Sequence, residues 1–153
     1  MRIMGWVVGA ALVTSVSSFA GVTSGAGTWK GFGAKFDRNG SQVGEFAIEM
    51  VSEAVGKHEL KSKITVTIKD HSETHVQTLK DSGNNGFDIE SDHGEGGGYC
   101  FGKGLCEAYM GTQTHGFAIT IIMDGPDSRR MLVTELENGN AVNFIRESLE
   151  RLE

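Results

Sequence analysis

Residues 58–69, HELKSKITVTIK, alternate. Leu60, Ile64, Val66 and Ile68 fall on one face, with Lys61, Lys63, Thr65 and Thr67 on the other. A period of two describes a strand with one buried and one wet face. The pattern returns in Phe46, Ile48 and Met50 against Glu45, Ala47 and Glu49, and again in Phe117, Ile119, Ile121 and Met123. Glycine occurs 22 times and proline once, at Pro126, so Gly and Asn do most of the punctuation. Arg38-Asn39-Gly40, Asp81-Ser82-Gly83-Asn84-Asn85-Gly86, Asp124-Gly125-Pro126-Asp127 and Glu137-Asn138-Gly139-Asn140 separate the runs. Their Asn and Gly accept the positive φ that hairpin turns require.

These signals predict an all-β domain with strands near 27–37, 42–51, 58–69, 74–80, 86–92, 97–101, 105–110, 116–123 and 130–136. No repeat of fixed length points to a propeller or solenoid. No internal linker divides residues 27–153, which read as one domain after a flexible N-terminus at 21–26. The C-terminal NAVNFIRESLERLE admits two readings. Val142, Ile145, Leu149 and Leu152 have helical spacing, whereas in a strand Val142, Phe144 and Arg146 share a face. An antiparallel meander of about eight or nine strands either closes into a barrel or forms a β-sandwich, the latter with room for a short C-terminal helix.

Residues 1–20, MRIMGWVVGAALVTSVSSFA, carry one Arg, an apolar run over 4–13, and Ser18 and Ala20 at the −3 and −1 positions of a cut after Ala20. This is the pattern of a secretory signal peptide. Thr14, Ser15, Ser17 and Ser18 end the run short of the roughly 20 apolar residues of a membrane span. The expectation is a periplasmic or secreted protein with no membrane span after cleavage. The segment holds Arg2 and no acid, so its removal shifts the formal net charge from −6 to −7. That charge argues against nucleic acid and anionic membranes, both of which recruit basic residues.

The only cysteines, Cys100 and Cys106, flank Phe101-Gly102-Lys103-Gly104-Leu105. A three-residue Gly-Lys-Gly turn sets the two cysteines directly opposite each other, within disulfide range. An exported chain meets oxidising conditions, so a structural clip is expected. There is no C-x-x-C redox motif, and His93, Cys100, Cys106 and His115 match no zinc spacing. Asp88, Glu90 and Asp92 would project from one strand face, but the calcium-loop order is missing and they read as a solvated acidic face. His58, His71, His75, His93 and His115 are scattered and read as surface residues. With no Gly-x-Ser-x-Gly elbow, no catalytic residue, metal ligand or cofactor is assigned.

Gly27-Thr28-Trp29-Lys30-Gly31 resembles the Gly-x-Trp opening of the calycin group, the lipocalin-like and avidin-like barrels. The resemblance implies that Trp29 plugs one barrel end under an Arg from a last strand. Arg146 is the candidate, with Arg129 and Arg130 as substitutes, and this favours the strand reading of the C-terminus and the closed barrel. It further implies a binding protein for a small apolar or amphipathic ligand. Trp29, Phe46, Ile48, Val66, Phe117, Ile119 and Ile121 would line the interior, Tyr99 or Tyr109 would supply a polar contact, and Gly31 and Gly33 would leave space. The avidin group places further Trp residues around its ligand, whereas Trp29 stands alone after residue 20. Bacterial metalloprotease inhibitors are similar small exported barrels with one disulfide and a mobile arm. The alternative is therefore a protein-binding module such as an inhibitor of a secreted hydrolase, with 21–26 as the arm.

Overall fold

The computed structural model describes residues 21–101 and 104–152. The expected export signal at 1–20 and the Gly102-Lys103 tip of the cysteine hairpin lie outside the described residues. Ten strands follow in order: β1 (Gly27–Asp37), β2 (Gln42–Ala54), β3 (Glu59–Ile68), β4 (His71–Gly83), β5 (Gly86–Ser91), β6 (Gly94–Phe101), β7 (Leu105–Gly111), β8 (His115–Gly125), β9 (Ser128–Glu137) and β10 (Asn140–Leu152). Each pairs antiparallel with its sequence neighbours. β1 also pairs with β10, from Thr28 opposite Leu152 to Asp37 opposite Asn143, which closes the barrel. Closure removes every free sheet edge.

The strand count is ten, against the eight or nine expected, because the ambiguous C-terminal segment is β10. It buries Ile145, Glu147 and Leu149 and leaves Phe144 and Arg146 outside. The turns follow the Asn and Gly signals. Asn84 and Asn85 have φ of 52° and 66°, and Asn138 and Gly139 have 49° and 80°. Two positive φ values in a two-residue loop give the twist that antiparallel strands need.

Alternation sends one face of every strand into a single core that includes Phe46, Ile48, Met50, Leu60, Ile64, Val66, Leu79, Ile89, Ile119 and Ile121. Ser52 and Ser62 also point inward and satisfy each other, Oγ to Oγ, at 2.7 Å. Cys100 pairs in register with Cys106, Cα atoms 4.0 Å apart, and the two form a disulfide inside the core. A closed loop of this size constrains the unfolded chain by about 2.4 kcal/mol in the chain-entropy model. Urea unfolding with and without reductant is expected to differ by about that amount; coincident midpoints would show that the clip contributes nothing.

The two ends of the barrel differ. The starts of odd strands and the ends of even strands gather at one end, where a short 3-10 helix, Val22–Gly25, packs on β2, β3 and β4. Trp29, 1% exposed, seals this end and donates from Nε1 to the Gly25 carbonyl at 3.0 Å. Arg151 Nη2 donates to the Ser24 carbonyl at 2.7 Å. The expected loose segment 21–26 is thus tied to the plug. Its Val22 is buried because it has the closed end of the barrel to cover.

Candidate functional site at the open end of the barrel

Arg129, on β9, places its guanidinium carbon 3.4 Å from the centroid of the Trp29 ring, and Arg151, on β10, lies at 4.6 Å. Burial first, then the charge of Arg151, lower Arg129 to a pKa of about 9, which leaves it cationic at neutral pH. A cation over an indole face is attracted by the ring quadrupole. Arg146 does not take this part. It is one residue out of phase with Ile145 and Glu147, faces solvent, and lies 5.9 Å from the outer Phe36 ring.

The interior residues named from the sequence occupy one core. Val66 and Ile121 are inaccessible to a water-sized sphere, and so are Met50, Leu60, Ile64, Leu79 and Met110 around them. Protein interiors pack this densely when side chains alone fill them. The space expected beside the β1 glycines is occupied: a Cβ on Gly33 would sit 2.1 Å from the Phe46 ring, and one on Gly31 would meet the β10 backbone at Ser148. Tyr99 lies outside, 43% exposed, with its ring against Phe101 at 5.1 Å. Its parity explains this, since Cys100 points inward and its neighbour must point out. Tyr109 is outward for the same reason and covers Gly116.

Towards the opposite end, a concavity of about 630 Å³ lies at the rim over Lys35, Phe46, Ile68 and Lys69. A buried ion pair lies towards this end. Lys35 Nζ lies 3.2 Å from Glu135 Oε2, which also accepts from Asn143 Nδ2 at 3.0 Å. Glu147 sits opposite Gly33 on β1 and Met131 on β9, diagonal to Lys35 across the β1–β10 ladder. It is 3% exposed, and neither carboxylate oxygen has a hydrogen-bond partner. Burial alone raises its pKa well above the usual carboxylate value.

A second polar group lies at the open ends of β4, β5 and β6. His75 points inward, with Nδ1 3.0 Å from Asp92 Oδ2 and 2.5 Å from His93 Nε2, and its Nε2 is 3.6 Å from Glu73. It is therefore not the surface residue expected, since inward alternation along β4 places it in line with Gln77 and Leu79. Burial, and then proximity to His75, lower the pKa of His93. The expected acidic face is split: Asp88 and Glu90 face outward, with Glu90 bound to Lys80 at 2.8 Å, while Asp92 turns to His75.

The outer wall carries two grooves of about 900 and 800 Å³. Phe32, 75% exposed, with Leu132 and Phe144, supplies their apolar side chains, next to Arg130 and Arg146. No described helix is long and apolar enough to cross a membrane.

A closed antiparallel meander with a Trp and stacked Arg at one end is a lipocalin-like barrel. Several solved structures share it. The S-type phycobiliprotein lyase of Guillardia theta matches with a TM-score of 0.70 at 9% identity, over 85% of this chain and 89% of that one. A DUF3598-family protein of unknown function from Nostoc punctiforme matches with a TM-score of 0.65 at 12% identity, over 90% of this chain. The match covers 51% of that protein, so this chain spans about half its length. Rv2717c of M. tuberculosis matches with a TM-score of 0.62 at 15% identity, over 84% and 92% of the two chains. At such identities the likeness is one of fold. No protein-family model and no curated protein matches the chain.

Proposed function

We propose that this barrel is an exported, non-catalytic binding protein that holds a small apolar or amphipathic ligand at its open end. The observation that carries the reading is the placement of Glu147. It is a buried carboxyl with no hydrogen-bond partner, opposite Gly33 and Met131 and diagonal to Lys35 inside the barrel. Such a group costs stability, and a polar contact at the end of an apolar pocket is what orients an amphipathic ligand. Phe46, Ile48, Phe117 and Ile119 supply the apolar contacts, while Val66, Ile121 and Trp29 form the floor and plug. Export rests on the signal pattern of residues 1–20 and is in keeping with the Cys100–Cys106 disulfide.

Native mass spectrometry of the protein recovered from its own compartment tests this. The expected result is a chain beginning at Gly21 that releases a small molecule on denaturation, with micromolar uptake of an apolar fluorescent probe at about 8 kcal/mol of binding free energy. Glu147→Leu should alter which probes compete without emptying the site. A bare mass together with no saturable probe uptake would remove the carrier reading.

The protein-binding alternative draws on a different surface. Its arm, 21–26, is tied to the plug, so the reading rests on the outer grooves around Phe32, Leu132 and Phe144. Loss of partner binding in Phe32→Ser, with probe uptake intact, would be its signature.

A further inference from the structure

We propose that His75, Asp92 and His93 form a binding site for one divalent first-row transition metal ion at the open rim of the barrel. The inference is independent of the ligand reading above, because it concerns other side chains and stands whatever the interior holds.

Two strands and a turn build the site. β4 presents His75 inward, and Gln77 pairs in register with Ser91 at the end of β5. Asp92 and His93 form the two-residue turn into β6. Ser91 Oγ accepts from the His93 backbone N–H at 3.1 Å and donates to the Gly94 carbonyl at 3.1 Å, which holds the turn in place. One donor atom from each of the three residues then converges, all within 4.8 Å of one another.

The chemistry of that convergence favours a Lewis acid. His75 Nδ1 and His93 Nε2 face each other at 2.5 Å. Two lone pairs repel at that separation, and two N–H groups repel more, so either one nitrogen donates a proton to the other or a cation joins them. Bonds of about 2.0–2.1 Å at a tetrahedral angle separate two nitrogen ligands by about 3.3 Å, so binding needs the rings to part by less than an ångström. Asp92 is half exposed and sits on a turn, which lets its carboxylate follow. Metal-ligating imidazoles usually direct their second nitrogen at a carboxylate, and His75 Nε2 lies 3.6 Å from Glu73 Oε2. Two imidazoles with one carboxylate suit zinc, cobalt, nickel, copper or ferrous iron better than calcium or magnesium, which prefer oxygen. Three protein ligands leave a position open to water or an exogenous donor.

Zinc and cobalt(II) are the probes. Chelator-treated full-length protein is expected to bind one equivalent of zinc, and cobalt should give the visible bands of a site with low coordination number. His93→Gln and Asp92→Asn change accessible side chains; each is expected to weaken zinc binding, with His93→Gln losing about 100-fold, the upper end of what even supporting residues around a metal contribute. His58→Gln should change nothing. Imidazole NMR of the unaltered protein needs no variant: zinc must shift His75 and His93 and spare His58 and His71. No saturable binding at millimolar zinc, or binding that survives His93→Gln unchanged, overturns the proposal. So does a spectrum in which His75 and His93 stay put, which would leave the pair as a shared-proton hydrogen bond.

Discussion

Replacing Trp29 with alanine is expected to lower the unfolding free energy by about 3–5 kcal/mol, the range for deleting a fully buried aromatic side chain. Three losses act together. The plug leaves a cavity at the closed end, the Gly25 carbonyl loses its donor at 3.0 Å, and Arg129 loses the ring beneath its guanidinium. That last loss matters because Arg129 is 1% exposed and cannot turn to water for compensation without unpacking its neighbours. Trp29→Phe separates the contributions. It keeps an aromatic face under Arg129 and removes the Nε1–H donor, so it should cost less, with the lost hydrogen bond contributing about 1 kcal/mol. Urea unfolding followed by circular dichroism reads both variants. Amide exchange over 22–25 should accelerate in Trp29→Ala, because the 3-10 helix is anchored to that ring. A cost under about 1 kcal/mol for the alanine variant would mean that the closed end is held by something other than this plug.

Much of this architecture is legible in the sequence, and the residues that hide the rest share one property. Strands β2, β3 and β8 read clearly because their inward positions are almost all apolar, from Phe46 to Met50, Leu60 to Ile68 and Phe117 to Met123. β10 is ambiguous in the sequence because its inward row runs Ile145, Glu147, Leu149, and an acid at a core position breaks the period of two. What remained, Val142, Ile145, Leu149 and Leu152, imitates a helix. Lys35, Gln77, Arg129 and Glu135 disturb other strands in the same way. Polar side chains placed inside a barrel erase the very signal that would locate them.

Parity recovers part of what period alone missed. Once Trp29 is inward, Lys35 six residues on must be inward too; once Cys100 is inward, Tyr99 must be out. By contrast, the meeting of His75 with Asp92 and His93 depends on the register of β4 against β5, set by the Gly83–Gly86 turn and its bulge. A shift of one residue would have pointed His75 at solvent. Nothing in the scattered histidines announces that register.

Glu147 yields the second large effect, and its direction follows from linkage. In the fold burial favours its protonated form and raises its pKa well above the ordinary glutamate value of 4.5, near which it ionises in the unfolded chain. Between those two values the native state binds more protons than the unfolded state, so stability falls as pH rises. The slope for one group is at most about 1.4 kcal/mol per pH unit. The contribution is fully present below the unfolded pKa and is lost on the way up to the folded one. Glu147→Leu removes both the ionisable group and the unpaired oxygens, and should therefore stabilise the barrel. Its advantage over the natural chain should be small at pH 4 and widen steadily above pH 5. Taking the difference between the two proteins cancels His93, whose own shift runs the other way. Urea midpoints at a series of pH values supply the measurement; parallel profiles would show that Glu147 ionises in the fold as freely as in the unfolded chain. Infrared spectroscopy gives an independent reading, since a protonated carboxyl band should persist above pH 4.5, where a free glutamate ionises, and vanish in Glu147→Gln. The same linkage ties stability to binding. A ligand that brings a cation or a hydrogen-bond donor to Glu147 favours its ionised form, so binding releases a proton and steepens with pH. A purely apolar ligand leaves the carboxyl protonated, and its affinity is flat across the same range.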